Sequence, residues 1–266
     1  MIEAFRILEL PEAVQSADNS ILLVTPVWND SARLEPFGQD LAAALSKSSL
    51  SVDWIIVDDG SDKHEKQRLD ELQKHYSETY SNVSVMHLDK RTRKGGAIYQ
   101  AWEINTNAQW LAFVDADGAI SADTTLDLLH RAISGDLNTC WLGVRSNQPG
   151  TPVSRPLFRR VAFQVFVAVM RRMTGLSCKD TQCGLKIVPA RSYRAIAGQL
   201  NEKGFIFDVE LLLVLSQHGC TLQEVSIPWQ EKAGGKIKPM REAWAMLGGL
   251  SRIRKRLKRG AYSRNM

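Results

Sequence analysis

The sequence is short of the patterns that mark thiol-based, metal-thiolate or membrane-spanning proteins. Its four cysteines, Cys140, Cys178, Cys183 and Cys220, form no CxxC pair and have no partnering histidine cluster. Neither a zinc site nor a disulfide framework is suggested for a chain of this size, so they read as small buried residues in a reducing compartment. His64, His75, His87, His130 and His218 show no ligand spacing and read as surface or packing residues. The longest apolar run, Val161 to Met170, is about half of what a spanning helix needs, and Gln164 interrupts it. The opening MIEAFRILELPEAV is acidic and broken by proline, which excludes a secretory signal. These absences predict a protein that is cytoplasmic, whether soluble or peripheral on the inner face of a membrane. No GxGxxG follows the first apolar run and no GxxxxGK[ST] occurs, which disfavours a dinucleotide site and removes a P-loop.

Charge is present but unevenly placed. The net +5 conceals a basic end: from Ser251 onward there are seven cations (Arg252, Arg254, Lys255, Arg256, Lys258, Arg259 and Arg264) and no acids. Taking them from the total of 34 leaves 27 cations against 29 acids in the body. Such a tail can meet anionic lipid, nucleic acid or water. Arg252, Arg256 and Arg259 fall three or four apart, along one helical face. The aromatic interleaving expected of a single-strand nucleic-acid binder is missing, so no nucleic-acid partner is expected.

In the first half, short runs rich in β-branched and aromatic residues alternate with segments of helical length. The runs are ILLVTPV, VDWIIV, VSVMHL, WLAFV and TCWLGV; LDELQKHYSETY and AIYQAWEINT lie between them. This alternation predicts an α/β fold with a mostly parallel sheet and helices on both faces. After Arg145 a loop, SNQPGTPVSRP, leads to FRRVAFQVFVAVMRRM, a helix with an apolar face. DTQCGLKIVP then reads as a turn and short strand, FDVELLLVLSQHG as a helix closed by Gly219, TLQEVSIPW as a strand, and REAWAMLGGLSRIRKRLKR as a basic helix. The expectation is a single domain over residues 1–266, with halves at 19–145 and 146–235 and a basic end at 236–266.

In open α/β sheets ligands bind beyond the carboxyl ends of strands. Two aspartate pairs are placed there: Asp58 and Asp59 after VDWIIV, and Asp115 and Asp117 after WLAFV. Residues two apart on an extended chain project to the same side, so Asp115 and Asp117 can converge. Neighbouring carboxylates are costly to desolvate unless a cation joins them. Magnesium, which takes one or two carboxylates and completes its shell with water and substrate phosphate, suits the DxD. The bland alternative is that aspartates merely terminate strands. DADGA also has a superficial likeness to an aspartate-nucleophile phosphohydrolase loop, but the further acidic pair lies upstream rather than downstream.

TPVWND, VDDGS and DADG, in this order and spacing, resemble the nucleotide-sugar-binding half of family 2 glycosyltransferases with the GT-A fold. RKGGAI, KDTQCGLK, FDVELL and PWQEKAGGKI are similar to segments of the dolichyl-phosphate glucosyltransferases and their bacterial polyprenyl-phosphate relatives. The resemblance covers roughly Ile21 to Arg256. It implies a Rossmann-like, mostly parallel sheet with a C-terminal acceptor-side helical region. It also implies inverting transfer of a hexose, glucose by family, from a UDP-sugar to a polyprenyl or dolichyl phosphate, with Mg2+ or Mn2+. A saccharide hydroxyl is the alternative acceptor. Those relatives carry amino-terminal anchors or carboxyl-terminal spans that have no counterpart here.

By residue, the resemblance implies that Pro26, Asp30, Asp58 and Asp59 line the base and ribose pocket. Asp115 and Asp117 hold the metal against the diphosphate. Lys94, Gly95 and Gly96 open a helix whose amides and ammonium meet phosphate. Asp180 and Gln182 bond sugar hydroxyls, and Asp208 is catalytic. Glu210 joins the acceptor side, although residues two apart on a helix do not face one another. Arg155 and Arg159 precede the amphipathic helix and suit a phosphate acceptor. Trp102 and Trp110 read as core, Trp229 as pocket lining.

Overall fold

The computed structural model describes residues 20–104, 107–146, 157–230, 232 and 239–263. β1 (Ile21–Val27), β2 (Val52–Asp58), β3 (Val83–His87) and β4 (Trp110–Val114) come from the predicted apolar runs. Helices α1 (Ser31–Ser46), α2 (Lys63–Ser77) and α3 (Lys94–Trp102) connect them, and α4 (Ala122–Ile133) leads on to β5 (Thr139–Ser146). α2 begins at an N-cap, Asp62, whose side chain accepts from the Glu65 amide at 3.0 Å. It carries Glu65 in its first turn and Lys74 and His75 in its last, which suits the helix dipole. α5 (Leu157–Thr174), β6 (Leu185–Pro189), α6 (Ala190–Ile196), α7 (Phe207–Gln217), β7 (Thr221–Pro228) and α8 (Pro239–Lys258) complete the order.

The seven strands form one sheet in the order β3-β2-β1-β4-β6-β5-β7. β1, β2, β3 and β4 run parallel, as do β5 and β7, but β6 runs antiparallel to both of its neighbours. This reversal is what brings the two halves of the chain to one edge. Val114, the last residue of β4, lies opposite Leu185, the first of β6. One residue further, the Asp115 amide donates to the Gly184 carbonyl at 2.9 Å. DADG leaves β4 where DTQCG enters β6.

Alternation along β1 shows how the sheet buries both faces. Leu22 and Val24 pack with Ala97, Ile98, Trp102, Phe207, Leu211, Leu250 and Ile253 from α3, α7 and α8. Ile21 and Leu23 pack with Leu34, Leu41, Leu69, Leu72, Leu128 and Leu129 from α1, α2 and α4. Helix α7 is apolar almost all round and is correspondingly buried along Phe207 to Leu215. It stops where Gly219 adopts φ 85°. Trp102 and Trp110 are core residues, 2% and 0% exposed. All four cysteines are free and buried.

Candidate active site at the strand ends

Asp115 and Asp117 converge at the end of β4, and each has a protein cation. Lys94 Nζ lies 2.6 Å from Asp115 Oδ1. Arg33 Nη1 lies 3.3 Å from Asp117 Oδ2, whose other oxygen accepts from the Ala119 amide at 3.0 Å. Arg33 also clasps Asp30, through Nε at 2.8 Å and through Nη2. Burial, followed by the charge of Asp115, pushes the Asp117 carboxyl above its ordinary pKa. Burial works against the Lys94 ammonium, but Asp115, Asp208 and Asp117 outweigh it and raise its pKa. Gly184 forms a hard wall, for a Cβ there would sit 2.3 Å from Asp115 Oδ2.

The KGG segment does something other than offer free amides. Gly95 N and Gly96 N donate to the Lys203 carbonyl at 2.9 and 3.2 Å, so the expected amide contacts with phosphate are already taken. Gly95 is there for packing, since a Cβ would meet Phe207 at 2.5 Å. Lys94 remains as the group that faces the carboxylates.

The second aspartate pair is not on a neighbouring strand, because β1 separates β2 from β4. Pro26 lies on β1 opposite Val57. Asp58, fully buried at the end of β2, accepts from the Ser61 amide at 2.9 Å and contacts His87 Nδ1 at 3.1 Å and Lys66 Nζ at 3.9 Å. Burial alone would raise its pKa, but the bonds with His87 and Ser61 prevail and lower it. Asp59 turns to Thr92, whose amide and hydroxyl both donate to Oδ1. Burial prevails over these bonds and raises the Asp59 pKa. Gly60, at φ 67°, makes the turn between these directions and the following helix. Neither carboxylate is open to solvent; Asp58 braces the turn after β2, and Asp59 the segment that leads into α3. Beside them the Arg91 guanidinium stacks on Trp28, 3.3 Å from the ring centroid.

On the other side, Asp180 is gripped by Arg145, Nε to Oδ2 at 2.6 Å and Nη2 to Oδ1 at 2.8 Å. Burial opposes ionisation of Asp180, but this pair wins and its pKa is lowered. The Arg145 guanidinium lies 5.7 Å from the ring centroid of half-buried Trp229. Gln182 Nε2 and Thr181 Oγ1 are buried without a hydrogen-bond partner among the described residues. Asp208 faces the strand ends and meets Lys186 Nζ at 2.7 Å, with both side chains at or below 3% exposed. The two form a buried ion pair. Lys186 Nζ donates to the Cys183 carbonyl at 2.8 Å. Burial raises the Asp208 pKa despite Lys186 and Lys94.

Glu210 does not join this cluster. Its Oε2 accepts from the amides of Asn201 at 2.7 Å and Glu202 at 2.6 Å. Its Oε1 meets Arg256 at 2.9 Å and the Tyr262 hydroxyl at 2.5 Å. Two residues along α7 from Asp208, it points to α8, as helical geometry requires. Arg155 lies outside the described residues, and the Arg159 side chain is likewise not described. Sequence reasoning missed Arg33, Arg145 and Lys186 and read His87 as a surface or packing residue. A lysine inside the apolar run LKIVP was the available signal for Lys186, and the three-residue spacing of Asp30 and Arg33 was one for Arg33; Arg33's link to Asp117, Arg145's to Asp180 and His87's to Asp58 span 84, 35 and 29 residues.

The family model described as Glycosyl transferase family 2 matches residues 22–195, more than half of the chain. The chain belongs to that family. A dolichyl-phosphate beta-glucosyltransferase of Dictyostelium discoideum is 28% identical over 265 residues, covering 95% of this chain and 80% of that protein. A human protein of the same description is 27% identical, with 95% and 80% covered. Among solved structures, glucosyl-3-phosphoglycerate synthase from Mycobacterium tuberculosis in complex with Mn2+, UDP-glucose and phosphoglyceric acid superposes with TM-score 0.65. It shares 13% identity, with 90% of this chain and 80% of that chain covered. The fold of this glycosyltransferase is the GT-A fold.

Proposed function

We propose that this family 2 glycosyltransferase moves glucose from a UDP-sugar to a polyprenyl or dolichyl phosphate, with a divalent ion held by Asp115 and Asp117. The observation that carries the reading is the half-open carboxylate pair at the end of β4, with Lys94 and Arg33 beside it. The sugar and acceptor follow the named relatives. Mn2+ with UDP-glucose and Mg2+ with UDP occur in crystals of proteins sharing the fold.

The donor set suits Mg2+ or Mn2+. It offers two hard oxygen ligands, and among the described residues no group of three or more acidic, histidine or cysteine side chains could hold an ion. The remaining positions would fall to the donor diphosphate and water. When bound, the ion neutralises charge on the departing diphosphate. Lys94 and Arg33 add positive charge where that leaving group gathers, and the burial of Lys94 limits screening. An acceptor phosphate has a second pKa of about 6 and arrives largely ionised. Its oxygen forms the new bond to the anomeric carbon from the face opposite the breaking bond to diphosphate, inverting the centre. Asp208, held beside Lys186, then orients the acceptor rather than removing a proton. The Asp180–Arg145 pair with Gln182 lines the sugar side, while Pro26, Asp30, Asp58 and Asp59 shape the base and ribose side.

A lipid acceptor requires work at a membrane surface. Among the described residues no helix is long and apolar enough to cross one. Arg252, still 57% exposed, and Arg256 are engaged by acids, which leaves the exposed Arg254, Lys255, Lys258 and Arg259 as the unengaged part of the expected basic run. Each contributes about 1 kcal/mol near anionic lipid, enough for reversible, salt-sensitive binding.

The deciding experiment is a panel of nucleotide sugars with Mg2+ or Mn2+, scored for nucleotide release with and without polyprenyl phosphate. Release is expected to be greatest with UDP-glucose and to need both the lipid phosphate and the ion. Equal release with a soluble saccharide would reassign the acceptor, and full activity in excess chelator would remove the ion.

A further inference from the structure

The C-terminal helix is tied to the candidate active site through a charge network built on two buried carboxylates. Glu202 and Glu210 are 4% and 0% exposed, so two carboxylates share an apolar setting that only paired cations and donors make tolerable. Arg252 forks onto Glu202, Nε to Oε1 at 2.9 Å and Nη2 to Oε2 at 2.6 Å. Arg256 Nη1 bridges both acids, 2.9 Å from Glu202 Oε1 and 2.9 Å from Glu210 Oε1. The Tyr262 hydroxyl also binds Glu210, and the backbone amides of Asn201 and Glu202 complete its shell. Close packing backs the charges: a Cβ at Gly249 of α8 would lie 2.5 Å from Ile206 and 3.2 Å from Glu202 Oε2.

The loop so held is the one whose Lys203 carbonyl receives Gly95 N and Gly96 N. Those residues follow directly on Lys94, whose ammonium meets Asp115. Three short links therefore join α8 to the strand-end carboxylates: guanidinium to Glu202, Lys203 carbonyl to the first turn of α3, and Lys94 to Asp115. We infer that Glu202, Glu210, Arg252, Arg256 and Tyr262 are positioning residues, a brace through which the C-terminal helix fixes Lys94 against Asp115. Two of the three arginines on the face that the sequence offered to a membrane, Arg252 and Arg256, are paired within the protein instead.

The brace makes a prediction that does not depend on substrate. In Arg256→Gln, hydrogen exchange at the Gly95 and Gly96 amides should speed up about tenfold, while amides of β1 and β2 keep the parent rates. Tyr262→Phe, which loses one hydroxyl and little volume, should shift the same amides in the same direction by less. Ser251→Ala, on the exposed side of α8, should change nothing. Unchanged exchange at Gly95 and Gly96 beside faster exchange at Asn201 and Glu202 would overturn the inference, as would equal acceleration throughout the sheet. If Arg256→Gln does not fold, Tyr262→Phe decides alone. A second arm rests on the proposed transferase activity: kcat for nucleotide release should fall in both variants with little change in donor KM, and Arg256→Lys should recover part of it. A parent protein that releases no nucleotide would fault the proposed donor and leave the exchange result to judge the brace.

Discussion

The carboxylates at the exit of β4 keep much of their surface open, with the Asp115 and Asp117 side chains 35% and 27% exposed. In the C-terminal half, Asp180, Glu202, Asp208 and Glu210 are 5% exposed or less. Both groups are paired with lysine or arginine, so pairing does not separate them; access to water does. A half-open acid can exchange its protein cation for a ligand, because solvent lowers the cost of the interval between partners. A buried acid cannot, since losing its partner strands a charge. The first group is suited to binding and releasing an ion, the second to keeping a fixed arrangement against which substrate can be oriented.

The largest effect expected from this contrast is at Lys186. Lys186→Met should destabilise the fold by about 3–5 kcal/mol, because Asp208 is left buried and unpaired. Denaturant unfolding measures it, and adding Asp208→Leu should restore much of the loss. If the single substitution costs no more than a surface pair, the distinction between the two regions fails. Asp117→Asn should behave in the opposite way. Transfer should fall by about 10²-fold or more, as for loss of a group stabilising developing charge, while the unfolding free energy changes by less than about 1 kcal/mol. A joint loss of stability and activity would place Asp117 with the buried group.

Gly95→Ala should fall between these, because its Cβ would press on Phe207 at 2.5 Å. Overpacking of that kind costs about 1–3 kcal/mol, and the displaced first turn of α3 should carry Lys94 with it and slow transfer. The smallest effect is a pH dependence at His87, which lies between Asp58 at 3.1 Å and Asp70 at 2.9 Å, with Lys66 also on Asp58. The bond to Asp58, with help from Asp70, raises the His87 pKa against burial. A raised imidazole pKa stabilises the fold fully below the unfolded value of about 6.5, and the contribution disappears as pH climbs through the folded value. Unfolding titrations of the parent should therefore show stability declining from about pH 6 upward, and His87→Gln should flatten that decline. An unchanged slope would detach His87 from the Asp58 loop.

The strands were legible because runs such as VDWIIV and WLAFV are dense in β-branched and aromatic residues, and their ends announced where acids would gather. The direction of β6 was not legible, since five residues reading LKIVP carry no arrow; only pairing with β4 and β5 sets it. Ion partners were hidden for the same reason. Arg33 and Asp117 are 84 residues apart, and His87 lies 29 from Asp58. The three-and-four spacing put Arg252 and Arg256 on one face of α8, where both meet Glu202, yet periodicity reports which residues share a face and not what that face meets. Glu202, lying in a loop with no periodicity at all, gave no hint of the partner it provides.

The placement of β6 also has a consequence in time. β4 gains its inner neighbour, β1, from residues already synthesised, but its outer edge waits for Leu185–Pro189. From Val114 to Leu185 is 71 residues, which at roughly 5–20 residues per second is about 4–14 s of translation. Throughout that interval WLAFV, every residue of which ends up buried, presents an unpaired apolar strand edge. A growing chain of this protein is accordingly most exposed to mispairing, and most in need of chaperone cover, between the completion of its fourth strand and the arrival of its sixth.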